Sequence, residues 1–391
     1  MRKSDERILT THVGSLPRNP VLSDLLIRDE AGETVDRAEL ARLGEAAVRH
    51  VVERQAACGV DVVNDGEQPR VGFQTYVVQR MKGFGGESKR PPPSDYANFP
   101  AFAAQALRRA PKRSKVRNAA QAVADVIYND LTAAKEECRM FGAALDGLAK
   151  KPVDAFMTAA SPGIIATTML NAHYDSHEAY VFALARQIAK EYELIARDFV
   201  LQIDAPDLAM ERTVLFQDKS AAEFLAIAEM HVAAINEAVA GIPRERIRLH
   251  CCWGNWEGPH VDDIPMSEIL PVLYQARVGA LSIEFANPRH QHEYAALRKT
   301  RLPDTFLLLP GVIDSTTNYV EHPEVIANRI CEAVDAVGDR SRVIASSDCG
   351  FGTFAGGELV AEDVVWAKLK SCSEGAAIAT RRLWGKWNEE S

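Results

Sequence analysis

The sequence predicts a single (β/α)8 TIM barrel over residues 1–391, with one insertion between its second and third strands. Three observations predict it. Short apolar runs recur eight times with helical periodicity between them, and strand–helix–strand order implies parallel pairing. Each run ends at a polar residue capable of chemistry, and in such barrels the active site is built from the C-terminal strand ends. No linker divides the chain in two.

The first strand runs through Ile8 and Leu9 into the Gly14-Ser15 turn, and Pro17 prevents its continuation. A helix is expected over 36–58, with Leu40, Leu43, Ala47, Val51 and Ala57 near the helical period. Gly59 stops it, and the second strand, 60–63, leads into Asp65-Gly66-Glu67. Residues 83–117 break the rhythm with Gly83, Gly85, Gly86, three prolines from Pro91, and the basic group Arg108, Arg109, Lys112, Arg113 and Lys115. This is read as a surface insertion whose basic run is a solvated face. Helix is expected to resume over 118–149.

The third strand, 153–158, ends near Ser161, and the helix 178–198 leads to a fourth, 200–203, ending at Asp204. Ser220 and Glu223 form a capping box for a helix whose apolar face includes Phe224, Ile227, Ala228, Ile235 and Val239. The fifth strand, 247–249, enters His250-Cys251-Cys252, and the sixth, 280–283, ends at Glu284. The seventh, 306–313, ends at Asp314-Ser315, and Pro323 opens the next helix. The eighth, 342–345, precedes Asp348-Cys349-Gly350, and a helix over 363–385 closes the chain.

Composition narrows the function. A net charge of -9 disfavours nucleic-acid partners and anionic membranes, both of which call for a basic face. The polar start and the lack of a long apolar run predict neither signal peptide nor membrane span. Seven scattered cysteines do not form a disulfide framework, which places the chain in the reducing cytoplasm. Self-association into a homo-oligomer stays open.

Side chains alternate along a strand, so His250 and Cys252 share a face while Cys251 points into the core. Glu284 and Cys349 stand at other strand ends of the same rim, completing a His/Cys/Glu/Cys set suited to tetrahedral Zn²⁺. Cys58, Cys138, Cys331 and Cys372 read as small core residues.

Six segments in order resemble the catalytic half of cobalamin-independent methionine synthase: Val13-Gly14-Ser15, Asp65-Gly66-Glu67, Gln202-Ile203-Asp204-Ala205-Pro206, His250-Cys251-Cys252, Ile283-Glu284 and Asp348-Cys349-Gly350. The resemblance implies zinc on His250, Cys252, Glu284 and Cys349, the amino-acid carboxylate at Gly14 and Ser15, and the homocysteine ammonium at Glu67 and Asp204. It implies a thiol methyltransferase making methionine from homocysteine, with a methyl-folate or methyl-corrinoid donor. Asp314 is assigned the orientation of a proton donor or water.

The chain departs from that family on the donor side. Residues 161–170 contain no Trp to stack on a folate, and Ser315-Thr316-Thr317 replaces the family's His. Trp253, Trp256 and His12 are additions near the rim, available either to a donor pocket or to packing. An epoxyalkane:coenzyme M transferase-like alkyltransferase is the alternative, ranked lower because two carboxylates would face a sulfonate. A metal-free barrel of the uroporphyrinogen decarboxylase type is the third reading.

Overall fold

The computed structural model describes residues 1–109 and 118–385. Its strands are β1 (Leu9–Thr10), β2 (Val62–Val63), β3 (Met81–Gly85), β4 (Gln121–Tyr128), β5 (Asp154–Ala160), β6 (Val200–Asp204), β7 (Ile247–Cys251), β8 (Ala280–Ile283), β9 (Leu307–Ile313) and β10 (Ile344–Ser347). All except β3 and β4 form one parallel sheet of eight, ordered β1-β10-β9-β8-β7-β6-β5-β2. The edges β1 and β2 meet where Asp61 N–H donates to the Thr10 carbonyl at 3.1 Å, and Thr10 N–H donates to Asp61 Oδ2 at 3.0 Å. With helices between the strands this is a nearly closed (β/α)8 barrel, as the sequence predicts.

The strands are legible because they are covered on both faces. Every residue of β6, β7, β8 and β9 is buried, so each reads as a mostly unbroken apolar run. The helix Arg37–Ala57 begins where Asp36 accepts from the Ala38 and Glu39 N–H groups. Both arms of the Ser220–Glu223 capping box are made at the start of the helix Ala221–Ala238. Pro323–Val337 starts on its proline and stops at Gly338, whose left-handed φ of 78° suits a residue without a side chain.

One expectation is corrected. Residues 118–149 are not one helix: Gln121–Tyr128 is a strand, antiparallel to β3, and helix begins only at Thr132, running to Asp146. Val123, Val126 and Ile127 are β-branched and favour the extended chain, while Asp130 accepts from Thr132 N–H at the turn into the helix. The excursion from the barrel therefore runs out along β3, through helices Asp95–Asn98 and Pro100–Arg109, and back along β4. It is wider than 83–117. Arg108 is exposed, as a solvated basic face requires, whereas the Arg109 side chain, Lys112, Arg113 and Lys115 lie outside the described residues. All seven cysteines are free, and among the described residues no helix is long and apolar enough to cross a membrane.

Candidate active site

The C-terminal strand ends converge as the barrel requires. His250 lies on β7 with Cys252 just beyond it, Glu284 follows β8 and Cys349 follows β10, and all four are buried. Ligand atoms of His250, Cys252 and Cys349 lie within 4.8 Å of one another. Glu284 Oε1 stands 3.6 Å from Cys349 Sγ, near the edge of about 3.5 Å that tetrahedral Zn–S and Zn–O bonds define. Cys251 faces the other way, into the apolar core.

The donor set fits a divalent cation on grounds internal to the chain. His250 Nδ1 is buried with no hydrogen-bond partner, which leaves a ring nitrogen open to a ligand. Burial, with Arg248 two residues back, lowers the His250 pKa to about 3, so the ring is neutral and able to ligate. A hydrogen bond shared with Cys252, then burial, pushes the Cys349 thiol well above its ordinary range. Without a cation that thiol stays protonated; a bound metal deprotonates it. Metal binding at pH 7 is therefore expected to release protons, as calorimetry in buffers of different ionisation enthalpy would record. A heat independent of buffer would contradict this ligand set.

Several residues that sequence reasoning missed hold these groups. Asp348 accepts from the N–H groups of Phe285 (2.9 Å), Ala286 (2.8 Å) and Asn287 (2.8 Å), fastening the loop after β8 to β10. Asn287 Nδ2 donates to Glu284 Oε2 at 2.7 Å and to Asp348 Oδ2 at 3.0 Å, and Trp253 N–H donates to Glu284 Oε1 at 2.9 Å. Asn255 donates to the Gly350 carbonyl (2.7 Å) and Thr353 Oγ1 (2.7 Å) and accepts from Ser315 Oγ (3.0 Å), tying three rim loops together. Asp348 stood inside a motif already noted; the two asparagines carried no such signal.

A cavity of about 200 Å³ opens beside the thiols, lined by His250, Cys252, Cys349, Ser15, Glu67 and Asp204 among others. Glu67 has a left-handed φ of 55°, unusual for a residue with a side chain and a frequent mark of functional positions. Its Oε1 accepts from Thr158 Oγ1 at 3.0 Å, while Oε2 is buried with no partner. Asp204 Oδ1 accepts from Gln202 Nε2 at 2.7 Å. Burial raises both carboxyls, and the charge of Glu67 pushes Asp204 further up. Among the described residues neither acid makes an ion pair: Arg70 is held by Glu137 and Thr158, and Arg18 by the Glu67 and Gly352 carbonyls.

Ser15 lines the cavity, but Gly14 stands behind it, with its N–H directed to His12 Nδ1 at 3.2 Å. Gly14 is irreplaceable for another reason: at φ 143° a Cβ would lie 2.7 Å from Thr158 Cγ2. Asp314 is not in this cavity. It lines a second one, and its Oδ1 accepts from Thr316 N–H (2.7 Å) and Oγ1 (2.8 Å). Of the rim additions, Trp253 packs, stacked on His290 at 3.9 Å, and His12 is buried against Gln55. Trp256 lines both cavities.

Residues 8–364 match the family described as the catalytic domain of cobalamin-independent synthase. The chain is 24% identical to 2-hydroxypropyl-CoM lyase of Xanthobacter autotrophicus, over 98% of each chain. It is also 24% identical to the methionine synthase of Thermococcus kodakarensis, covering 96% of this chain and 94% of that one. The solved structure of a B12-independent methionine synthase from Shewanella sp. W3-18-1, in complex with selenomethionine, superposes with a TM-score of 0.73 at 19% identity, over 97% of this chain and 99% of that one. With nearly its whole barrel matched, the chain belongs to the cobalamin-independent methionine synthase family.

Proposed function

We propose that this protein is a zinc-dependent thiol S-methyltransferase whose acceptor is homocysteine and whose product is methionine. One observation carries the reading. A buried His/Cys/Cys group with a carboxylate beside it shares a small cavity with two further carboxylates that make no ion pair among the described residues, one of them with an unpartnered oxygen. A soft-metal site and an unoccupied place for an ammonium, side by side, are what an amino-acid thiol needs.

Zinc, held by His250, Cys252, Cys349 and Glu284, would supply the Lewis acidity that keeps the incoming sulfhydryl deprotonated. A free thiol of pKa about 8.5 is about 3% thiolate at neutral pH, so this gain is only about 30-fold, or 2 kcal/mol. Positioning by the chain must supply much of the rest. Glu67 and Asp204 grip the ammonium through the open Oε2, and Ser15 takes the carboxylate on the turn that Gly14 permits. Asp348 and Asn287 hold Glu284 against Cys349, and Asp314 orients water or a proton donor from the second cavity.

The similarity to 2-hydroxypropyl-CoM lyase supports a second reading, an alkyltransferase acting on a sulfonate thiol such as coenzyme M. The cavity argues against it: Arg90, on its wall, is already paired with Glu211, and Glu67 and Asp204 would repel a sulfonate. Calorimetric titration of zinc-loaded protein with L-homocysteine and with coenzyme M decides the order. Heat with homocysteine and none with coenzyme M is expected; the reverse would overturn the assignment of the acceptor.

A further inference from the structure

One layer below the site, the barrel interior is polar. Side chains two residues apart on a strand share a face, so Gln202 stands beneath Asp204 on β6 and Arg248 beneath His250 on β7. Gln202 and Arg248 are opposite one another in register, and both are fully buried. Barrels ordinarily fill such a layer with branched apolar residues. Here the Arg248 guanidinium lies over the Phe156 ring, 3.7 Å from its centroid. It donates to Gln202 Oε1 (2.6 Å), Thr11 Oγ1 (3.1 Å) and the His12 carbonyl (2.6 Å). All three acceptors are neutral, a costly setting for a buried charge that calls for a reason other than ion pairing.

The reason is the direction of one amide. A guanidinium has donors only, so the end of the Gln202 side chain that faces it must be the oxygen. Nε2 then points the other way and donates to Asp204 Oδ1 at 2.7 Å and to the Val13 carbonyl. Val13 leads into the turn that carries Ser15, and its own N–H is held by Ser347 Oγ at 3.1 Å. Arg248 reaches further still, because Thr11 Oγ1 donates onward at 2.9 Å to the Val62 carbonyl of β2, the strand that leads to Glu67.

The acceptor site proposed above has three attachments: sulfur at the metal beside His250, ammonium at Asp204 and Glu67, carboxylate at Ser15. The polar layer is bonded to, or continuous with, the strand or turn beneath each of them. Resting on that reading of the acceptor, we infer that Gln202 and Arg248 are positioning residues that hold the three attachments at one mutual spacing, so that the site takes an α-amino-acid thiol of a single configuration, that of L-homocysteine. Two attachments cannot tell mirror images apart, whereas three at fixed separations can. Gln202 sets the separation of two of them through a single amide, and Arg248 fixes which way that amide faces.

Calorimetric titration of zinc-loaded protein tests this with four thiols. They are L-homocysteine, D-homocysteine, 4-mercaptobutyrate, which lacks the amino group, and 3-aminopropane-1-thiol, which lacks the carboxylate. The unmodified protein is expected to prefer the L form by about 100-fold, as follows when one attachment is misplaced by roughly 1 Å. Gln202→Met keeps the length of the side chain without the amide. It should bring the preference below about tenfold, mainly by weakening the L form, while both single-group thiols bind within about threefold of the wild type. Gln202→Glu keeps an acceptor for Arg248 and loses both donors, and Arg248→Lys keeps the charge and loses the planar fork. Both should move the ratio in the same direction, with zinc per chain unchanged in the same samples.

A wild-type ratio in variants that hold zinc overturns the inference. So does an equal loss for all four thiols, which is what a merely structural layer would give. Should every variant fail to fold, the unmodified protein still decides, since an L preference below about threefold is incompatible with three fixed attachments. Binding of neither enantiomer by the unmodified protein sinks the acceptor reading itself; a firm L preference that the variants retain sinks the positioning alone.

Discussion

Cys252→Ser is expected to bring bound zinc from about one per chain to well below that, and to reduce methyl transfer by roughly 10³-fold. The argument rests on geometry. Cys252 shares the cavity face with His250 and Cys349, and hydroxyl is a far poorer ligand than thiolate for a borderline-soft cation. Losing the anion alone removes about 30-fold, and losing the fixed position of the sulfur removes the remainder. Its neighbour supplies the control. Cys251 points into the core, so Cys251→Ser should cost about 1 kcal/mol of stability and leave the metal content alone. Elemental analysis of the two purified variants checks both. Equal zinc in the two would show that strand alternation does not select the ligands.

Much of the barrel was legible because buried parallel strands announce themselves as apolar runs, and the rim chemistry because it follows each run directly. His250 and Cys252 could be paired from alternation alone, and the fold then brings Cys349 to them. What stayed hidden has physical causes. Gln121–Tyr128 is half exposed, with apolar Val123 and Ile127 on its outer face, so its polar–apolar alternation is lost and it resembles the start of the helix that follows. Asp348, Asn287 and Asn255 act through backbone groups of loops whose path only the folded chain reveals. Arg248 is the least expected of all. It is wholly buried inside the barrel, bonded to Gln202 Oε1 at 2.6 Å and the His12 carbonyl at 2.6 Å, one layer below Asp204. Nothing in the apolar run around it distinguishes such an inward arginine from a surface one.

Asp204→Asn should make the ligand-free protein more stable at neutral pH while weakening its hold on an amino-acid thiol. Burial holds the Asp204 and Glu67 carboxyls above their ordinary range, and Glu67 adds its own repulsion to Asp204. The sign follows from linkage. A carboxyl whose pKa is higher in the folded than in the unfolded chain contributes stability fully present below about pH 4, and that stability is lost as pH rises through the folded-state pKa. Removing one acid removes the loss, worth about 1–2 kcal/mol, so denaturant melts at pH 5 and pH 8 should differ less for the variant than for the wild type. The same substitution takes away one partner of the ammonium, and homocysteine affinity should fall roughly 10- to 100-fold. A thiol without an amino group, such as 3-mercaptopropionate, should bind the two proteins alike. Stability and affinity therefore move in opposite directions if the pair is kept for an ammonium. If they fell together, the carboxylates would instead belong to the buried charge network around Arg18 and Arg70, since both guanidinium groups act on Glu67.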